Sequence, residues 1–591
     1  MNEHPHSKSY GPVVPQSHTF SFPEEGFPLE CGKTLPEVTI RFESYGTLNA
    51  AGDNVVWICS PLTADAHVAG YYTPEDKKVG WWDALIGKGK AIDTDRFFVV
   101  CSNILGGCQG TTGPKSIDPR TGKPYGSSFP EITIGDMVAA QKLLADHLGV
   151  QKLYAVVGGS MGGFQAMKWA IYYPGFVDRC VIIASSPRFS SQALGFEIIG
   201  RSVIQQDPHF NGGDYYETQV PETGLANARK LAHLTYLSPE SMEKKFPRES
   251  GTGIDPEHFK LGIPLESYLD YQGKKFVERF DANSYLHITY ATDTFDLATE
   301  YGSLEKAFEP IQAEVLNISL STDWLFPPQD SLKITYALLN INKKVSSLEL
   351  DSKLGHDGFL IEVGSLGKAV GQFLDTKTRK DSSPGTGLLP AFSDNRSFDL
   401  LEKMIPAGSR ILDLGCGNGR LIETLQTKGI TGVGVEKNFK SILECLGIGV
   451  PVIQRDLDES GLSHFEDAGF DYVVFNRTLQ EVREPLSLIH EILRVAERAI
   501  ITFPNFGHWS VRAALCWYGR MPKSDELPYE WYNTPNIHLF TLQDFLRMCE
   551  SEKIKIDKLV VVNEKPLSRF LTALGKKNLG AEQVVALVSK H

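Results

Sequence analysis

The chain has 591 residues, and at about 100 to 200 residues per domain that length predicts several domains, or one large domain joined to a mid-sized one. Hydrophobic residues make up 42% and charged residues 22%, which is apolar material enough for large cores and excludes disordered, collagen-like and low-complexity classes. The net charge of −13 contains no basic run, so a binder of phosphate backbones is not expected.

The opening stretch, Met1 to Gln16, lacks the apolar core of a signal peptide, and nothing in it directs export. Apolar runs such as Val55 to Ile58 or Ala499 to Phe503 fall far short of the roughly 18 residues that span a bilayer, so no membrane association is expected. Nine cysteines are scattered without a CxxC pair. That spacing predicts no metal site, no disulfide framework and a reducing, cytoplasmic setting.

In chain order, the first half offers strands at Val55 to Cys59, Phe97 to Cys101, Leu153 to Val157, Cys180 to Ala184, Val315 to Ser319 and Ser347 to Leu350, alternating with helical-period segments. Between the fourth and fifth lies a long insert, about 188 to 310, with helical spacing as in Leu225 to Leu237. Its size predicts a helical cap over the strands' C-terminal edge. A stretch dense in small, charged and turn-forming residues, 376 to 396, reads as a linker between a first domain (1 to 375) and a second (397 to 591). In the second half, strands at Ile411 to Leu414, Gly432 to Val435, Tyr472 to Phe475 and Ala499 to Thr502 alternate with helices at Arg420 to Thr427, Phe439 to Leu446 and Leu486 to Val495. Both halves are α/β, and the second suits a doubly wound, Rossmann-like sheet.

Leu153-Tyr-Ala-Val-Val-Gly-Gly-Ser-Met-Gly-Gly163 is a strand running into Gly158-x-Ser160-x-Gly162 and then a helix. This is the nucleophile elbow of an α/β-hydrolase fold, where small residues on either side of the serine permit the turn that projects its hydroxyl. A serine needs a base, and the base an acid to fix its tautomer. The fold's order, Ser then acid then His, is met by Asp323 at the end of Val315 to Asp323 and by His356 in the loop after the last strand. The developing oxyanion calls for two backbone amides: Met161, next to the nucleophile, and Leu62 or Thr63 in the loop after Cys59. His67, in the same loop, reads as a loop-stabilising residue.

Longer strings narrow the chemistry. Cys101-Ser-Asn-Ile-Leu-Gly-Gly-Cys-Gln-Gly-Thr-Thr-Gly-Pro114, Gly224-Leu-Ala-Asn-Ala-Arg229, Arg279-Phe-Asp-Ala-Asn-Ser-Tyr285 and Gly355-His-Asp-Gly-Phe-Leu360 resemble homoserine O-acyltransferases of the MetX type, from about Phe20 to Leu374. The resemblance implies a ping-pong transfer from acyl-CoA, through Ser160, to the hydroxyl of L-homoserine, an early step of methionine synthesis. It further implies Arg229 for the acceptor carboxylate, Asp357 for its ammonium, and a homodimer built through the cap. The family's succinyl branch carries an arginine two residues after the triad acid, where this chain has Leu325. A leucine cannot pair with a carboxylate, so acetyl-CoA is the expected donor, with succinyl-CoA, serine as acceptor, or plain ester hydrolysis as the alternatives.

In the second half, Arg410-Ile-Leu-Asp-Leu-Gly-Cys-Gly-Asn-Gly-Arg420 follows a strand and opens a helix, with Gly415, Gly417 and Gly419 letting backbone approach a ligand. Asp413 precedes the loop and Glu436 ends the next strand. The combination resembles class I S-adenosylmethionine methyltransferases, which would place Glu436 on ribose hydroxyls and Asp456 near the adenine. Phe470 to Asn476, Thr478 to Glu481, Ile501 to Trp509 and Leu527 to Asn533 extend the resemblance to MetW proteins, over about Phe398 to Leu559. No methyl-acceptor chemistry is evident, so a fused module that binds S-adenosylmethionine, or has lost it and supports the acyltransferase, fits as well as a working methyltransferase. Phe503 to Trp509 reads either as a substrate floor or as core.

Overall fold

The computed structural model describes residues 8–248, 253, 255–376, 395–523 and 530–591. The chain divides into two compact units, Met1–Leu374 and Asp375–His591. The linker expected at 376 to 396 falls, over 377–394, outside the described residues, as does part of Leu527 to Asn533.

The first unit is built on eight strands: β1 (Gln16–Ser21), β2 (Glu37–Tyr45), β3 (Val55–Cys59), β4 (Phe98–Ser102), β5 (Leu153–Gly159), β6 (Arg179–Ile183), β7 (Glu314–Leu320) and β8 (Val345–Leu350). They lie in the order β1-β2-β4-β3-β5-β6-β7-β8. From β4 to β8 every neighbour is parallel, while β1 and β2 are antiparallel to each other and β2 to β4. The central strands are apolar on both faces, as helices on both sides require. β1 and β2 are not among the strands expected from the sequence. β2 alternates buried Val38, Ile40 and Phe42 with half-buried Thr39 and Arg41, but a buried Glu43 breaks the alternation.

Between β6 and β7 the insert forms seven α-helices among the described residues, from Ser191–Gln205 to Leu304–Phe308. It has a core of its own in which Ile204, Tyr215, Leu225, Phe276 and Tyr285 are buried together.

The second unit has β9 (Arg410–Leu414), β10 (Thr431–Glu436), β11 (Val452–Gln454), β12 (Phe470–Asn476), β13 (Ala496–Pro504), β14 (Ile554–Val562) and β15 (Gln583–Lys590). Their order is β11-β10-β9-β12-β13-β15-β14, parallel from β11 to β13 and antiparallel for the pairs made by β15. The strand order reverses between β9 and β12, which makes the ends of those strands a topological switch point. β14 and β15, half-exposed or ending in charge, are further strands that the sequence pattern does not reveal. Among the described residues no helix is long and apolar enough to cross a membrane, and no cluster of His, Cys, Asp or Glu could hold a metal ion.

Candidate active site

β5 ends at Gly159, and the helix Met161–Tyr172 starts one residue after Ser160. Ser160 turns the corner at φ 58° and ψ −129°, a conformation rare for a residue with a side chain. The glycines around it are sterically required: a Cβ on Gly158 would stand 1.9 Å from the Gly162 carbonyl oxygen, and one on Gly162 would stand 2.3 Å from that of Cys59. The Ser160 amide is tied to the Ile183 carbonyl at 2.9 Å, which fixes the corner to β6.

Ser160 Oγ donates to His356 Nε2 at 2.8 Å, and His356 Nδ1 donates to Asp323 Oδ2 at 2.7 Å. All three are buried. The second carboxylate oxygen of Asp323 accepts the amides of Leu325 and Phe326, at 3.0 and 2.9 Å. These bonds leave the acid one orientation, facing the imidazole. Phe359 packs its ring 5.3 Å from that of His356, and a Cβ on Gly159 would meet it at 2.6 Å.

Met161 opens its helix, so its amide is among those without an intrahelical acceptor. Across from it, Pro61 to Ala64 form a turn closed by the Ala64 amide on the Pro61 carbonyl, 3.1 Å. Such a turn does not use the amides of its two central residues, here Leu62 and Thr63. Thr63 is bound on its other atoms: its hydroxyl accepts from Arg229 Nη1 at 3.2 Å and its carbonyl from Arg279 Nη1 at 2.9 Å.

Arg229 lies on the cap helix Glu222–Tyr236, its guanidinium 4.7 Å from the Phe276 ring centroid and 5.4 Å from that of Tyr236. Among the described residues no carboxylate lies within ion-pair distance of it. The Tyr236 ring is in turn 6.2 Å from that of His356, which puts this helix face over the triad. Asp357 follows the base directly. Burial pushes its carboxyl above the ordinary range, and the charges of His356 and Arg229 pull it partly back. The structure thus brings together Ser160, Asp323, His356, Asp357 and Arg229. Leu325 is buried beside the triad acid.

What holds the cap down on these loops carries no sequence signal. Gly355 has φ 68°, and a Cβ there would stand 2.5 Å from the Ser238 amide. Ser238 Oγ donates to the Lys353 carbonyl, and Trp324 Nε1 donates to the Leu237 carbonyl at 3.1 Å. One cap dipeptide therefore touches the loop of the base and the loop of the acid.

In the second unit Gly415, Gly417 and Gly419 have φ of 72°, 55° and 77°. A Cβ on Gly415 would meet Thr478 Oγ1 at 2.6 Å, and one on Gly419 would meet Cys445 Sγ at 2.9 Å. Glu436 reaches back to this loop: Oε2 accepts the Gly417 amide at 2.9 Å, while Oε1 accepts those of Lys437 and Asn438. Asp413 is buried on β9, and burial followed by the charge of Glu436 raises its carboxyl to about 7. Asp456 caps the short helix after β11, accepting the Asp458 amide at 3.0 Å, with Lys437 Nζ 3.8 Å from its other oxygen. The Phe503 to Trp509 stretch is committed to scaffolding. Asn505 donates to the Asn578 and Ala581 carbonyls, and His508 is bonded to Ser510 and Ser568. Of the two readings left open, core is the one these contacts support.

Comparison with known proteins adds to this geometry. Residues 78–363 match the family described as alpha/beta hydrolase fold, and residues 395–588 match "Methionine biosynthesis protein MetW". A bifunctional methionine biosynthesis protein MetXA/MetW of Rhodopirellula baltica is 44% identical over 563 residues, 91% of this chain and 88% of that one. A homoserine O-acetyltransferase of Methanosalsum zhilinae is 50% identical over 360 residues, 61% of this chain and 73% of its own. A homoserine O-succinyltransferase of Alkalilimnicola ehrlichii is 48% identical over 364 residues, 61% of this chain and 94% of its own. Among solved structures, homoserine O-acetyltransferase from Bacillus anthracis superposes with a TM-score of 0.58 at 32% identity, covering 62% of this chain and 98% of that one.

Proposed function

Since the chain belongs to the bifunctional methionine biosynthesis proteins that join a MetX-type homoserine O-acetyltransferase to MetW, we propose that its first unit, with the α/β-hydrolase fold, transfers acetyl from acetyl-CoA to L-homoserine through an acetyl-serine. The observation that carries this is the relay from Ser160 through His356 to Asp323, at 2.8 and 2.7 Å, beneath a cap face bearing an arginine without a carboxylate partner among the described residues.

Ser160 Oγ attacks the thioester carbonyl carbon while its proton passes to His356 Nε2. Asp323 stabilises the imidazolium, and charge on the carbonyl oxygen meets the amides of Met161 and of Leu62 or Thr63. The C–S bond breaks, His356 returns the proton to the sulfur, and coenzyme A leaves the acetyl group as an ester on Ser160. The hydroxyl of homoserine then gives its proton to His356 and attacks the ester. The C–O bond to Ser160 breaks, and the proton goes back to Oγ. A zwitterionic acceptor calls for one fixed cation and one fixed anion, roles that fall to Arg229 and Asp357.

Leu325, buried and uncharged, supports acetyl over succinyl. The experiment is a mass-spectrometric assay of acetyl- and succinyl-CoA against homoserine, serine and water. Acetylhomoserine should dominate; equal consumption of acetyl-CoA without homoserine would make the first unit a hydrolase. Leu325→Arg should raise succinyl-CoA use, since a charge-assisted bond contributes about 1.5 to 3 kcal/mol. Cap residues Ile198 and Ile199, apolar and exposed, support a homodimer through the cap, which sedimentation of wild type against Ile198→Glu would check. The acyl donor, a metabolite of the cell interior, supports a cytoplasmic setting.

For the second unit we propose a class I methyltransferase-like fold that takes S-adenosylmethionine. The donor set fits that ligand: a loop with three left-handed glycines, a carboxylate at the end of β10, and a buried acid at its base. Glu436 would hold the ribose hydroxyls and Asp413 would face the ligand's positive charge. Calorimetry on wild type and Glu436→Ala tests this, with unchanged affinity in the variant counting against it.

A further inference from the structure

Glu43 breaks the alternation of β2, and its surroundings give the break a purpose. The carboxylate is 1% exposed, and a buried carboxylate is costly unless it is well bonded. Three side chains supply the bonds. Tyr45 and His67 donate to Oε2 at 2.7 and 3.0 Å, and Tyr72 donates to Oε1 at 2.8 Å. The Tyr45 hydroxyl also accepts the amides of Val68 and Ala69, each at 3.2 Å, and the His67 ring stacks on that of Tyr72, centroids 4.2 Å apart.

Apart from Tyr45, the groups bonded to this hub among the described residues belong to the segment from Ala66 to Tyr72. That segment continues the turn Pro61 to Ala64. The link between them is itself held: the Ala66 amide donates to Asn103 Oδ1 at 2.6 Å, and Trp81 Nε1 donates to the Asp65 carbonyl at 2.9 Å. On the other side of the turn, the Ser60 carbonyl accepts from Gln165 Nε2 at 2.9 Å. The turn thus runs from β3 to a segment fixed on a buried carboxylate, with Arg229 and Arg279 of the cap bonded to Thr63 within it.

We propose that Glu43 is a positioning residue for the oxyanion-stabilising turn: through Tyr45, His67 and Tyr72 it sets where the Leu62 or Thr63 amide stands relative to the carbonyl oxygen attacked by Ser160. The inference rests on the acyl-serine reading above. Donors act on a developing oxyanion only at about 2.7 to 3.1 Å, so the anchor of the turn bears on rate without touching substrate.

The full chain is mixed rapidly with p-nitrophenyl acetate, whose burst of nitrophenol reports acylation of Ser160 with no part played by coenzyme A. In Glu43→Gln the amide cannot satisfy all three donors. The burst should keep an amplitude of one per chain while its rate constant falls about ten- to a hundredfold, the scale of a misplacement of about 1 Å. The matching thionoester, whose sulfur accepts hydrogen bonds weakly, should lose far less. His67→Asn, which keeps a donor near the place of Nδ1, should retain the rate, and His67→Leu should not; this pair carries the test if Glu43→Gln fails to fold. A reduced amplitude with an unchanged rate constant, equal losses on both esters, or indifference to both His67 variants would overturn the proposal. A wild type without a burst would overturn the acyl-serine reading and this inference with it, whereas a normal wild-type burst with unaffected variants removes only the role of Glu43.

Discussion

A serine hydroxyl is a weak nucleophile at its own pKa, and the two bonds in series from Ser160 to His356 and from His356 to Asp323 are the arrangement that would activate it. Ser160→Ala should abolish the acetyl-enzyme seen by mass spectrometry while leaving the fold intact. Asp323→Asn, by favouring the wrong imidazole tautomer, should lower kcat on the order of 10³ to 10⁴; normal turnover in either variant would reject the relay. Asp357 gives a pH signature. Its carboxyl lies above the ordinary range because it is buried, so on acidification it takes up a proton earlier than a solvated aspartate, near 3.9, would. The KM for homoserine should therefore climb as pH falls through a region above that value. In Asp357→Asn it should be high and insensitive to this titration, while the burst with p-nitrophenyl acetate is unchanged. A wild-type KM that stays flat down into the ordinary carboxylate range, near 3.9, and equals that of the variant would show that Asp357 does not hold the ammonium.

At the scale of elements, the loop that carries the proposed base His356 is in close contact with the cap. A Cβ on Gly355 would press on the Ser238 amide at 2.5 Å and would have to be borne at φ 68°. Gly355→Ala should displace the neighbouring His356 and cost kcat about 10²-fold, with thermal unfolding measured alongside to show that the sheet survives. The elbow and the glycine loop are legible in the sequence because each is written in a few consecutive residues whose backbone demands are severe, and Asp323 and His356 because each ends or follows a strand in the chain order that the elbow's fold requires. The Glu43 hub is not, since its partners His67 and Tyr72 lie 24 and 29 residues away and only the path of the chain joins them. β2 is hidden for the same reason: the carboxylate that breaks its alternation is explained only by that distant loop. His67 does stabilise its loop, as its position suggests, but what it binds is invisible in the sequence. Asp456 can be found by its place after β11, not by the helix cap it makes.

For the whole molecule, the chain divides into two compact units, each with strands and buried side chains of its own, and the second carries a titration that should be read within it. Asp413 titrates near 7 in the folded second unit, against an ordinary 3.8. Between those values the folded state holds a proton that the unfolded chain has lost, so the stability of the second unit should fall as pH rises from about 4 to 7 and level off above. Urea unfolding followed by hydrogen exchange of the β9 amides, at pH 5.5 and 8, would read this. Asp413→Asn should remove the difference, and a wild type equally stable at both values would place the carboxyl's titration elsewhere. The Leu237–Ser238 dipeptide has a consequence of another kind. It meets the loops of both acid and base, while elsewhere in the cap residues such as Ile198, Ile199 and Tyr290 are exposed. Over descent, such an insert divides into two territories: exposed positions whose residues can drift with whatever surrounds them, and a face, Leu237 and Ser238 with it, bound in inheritance to a reaction that those two never touch.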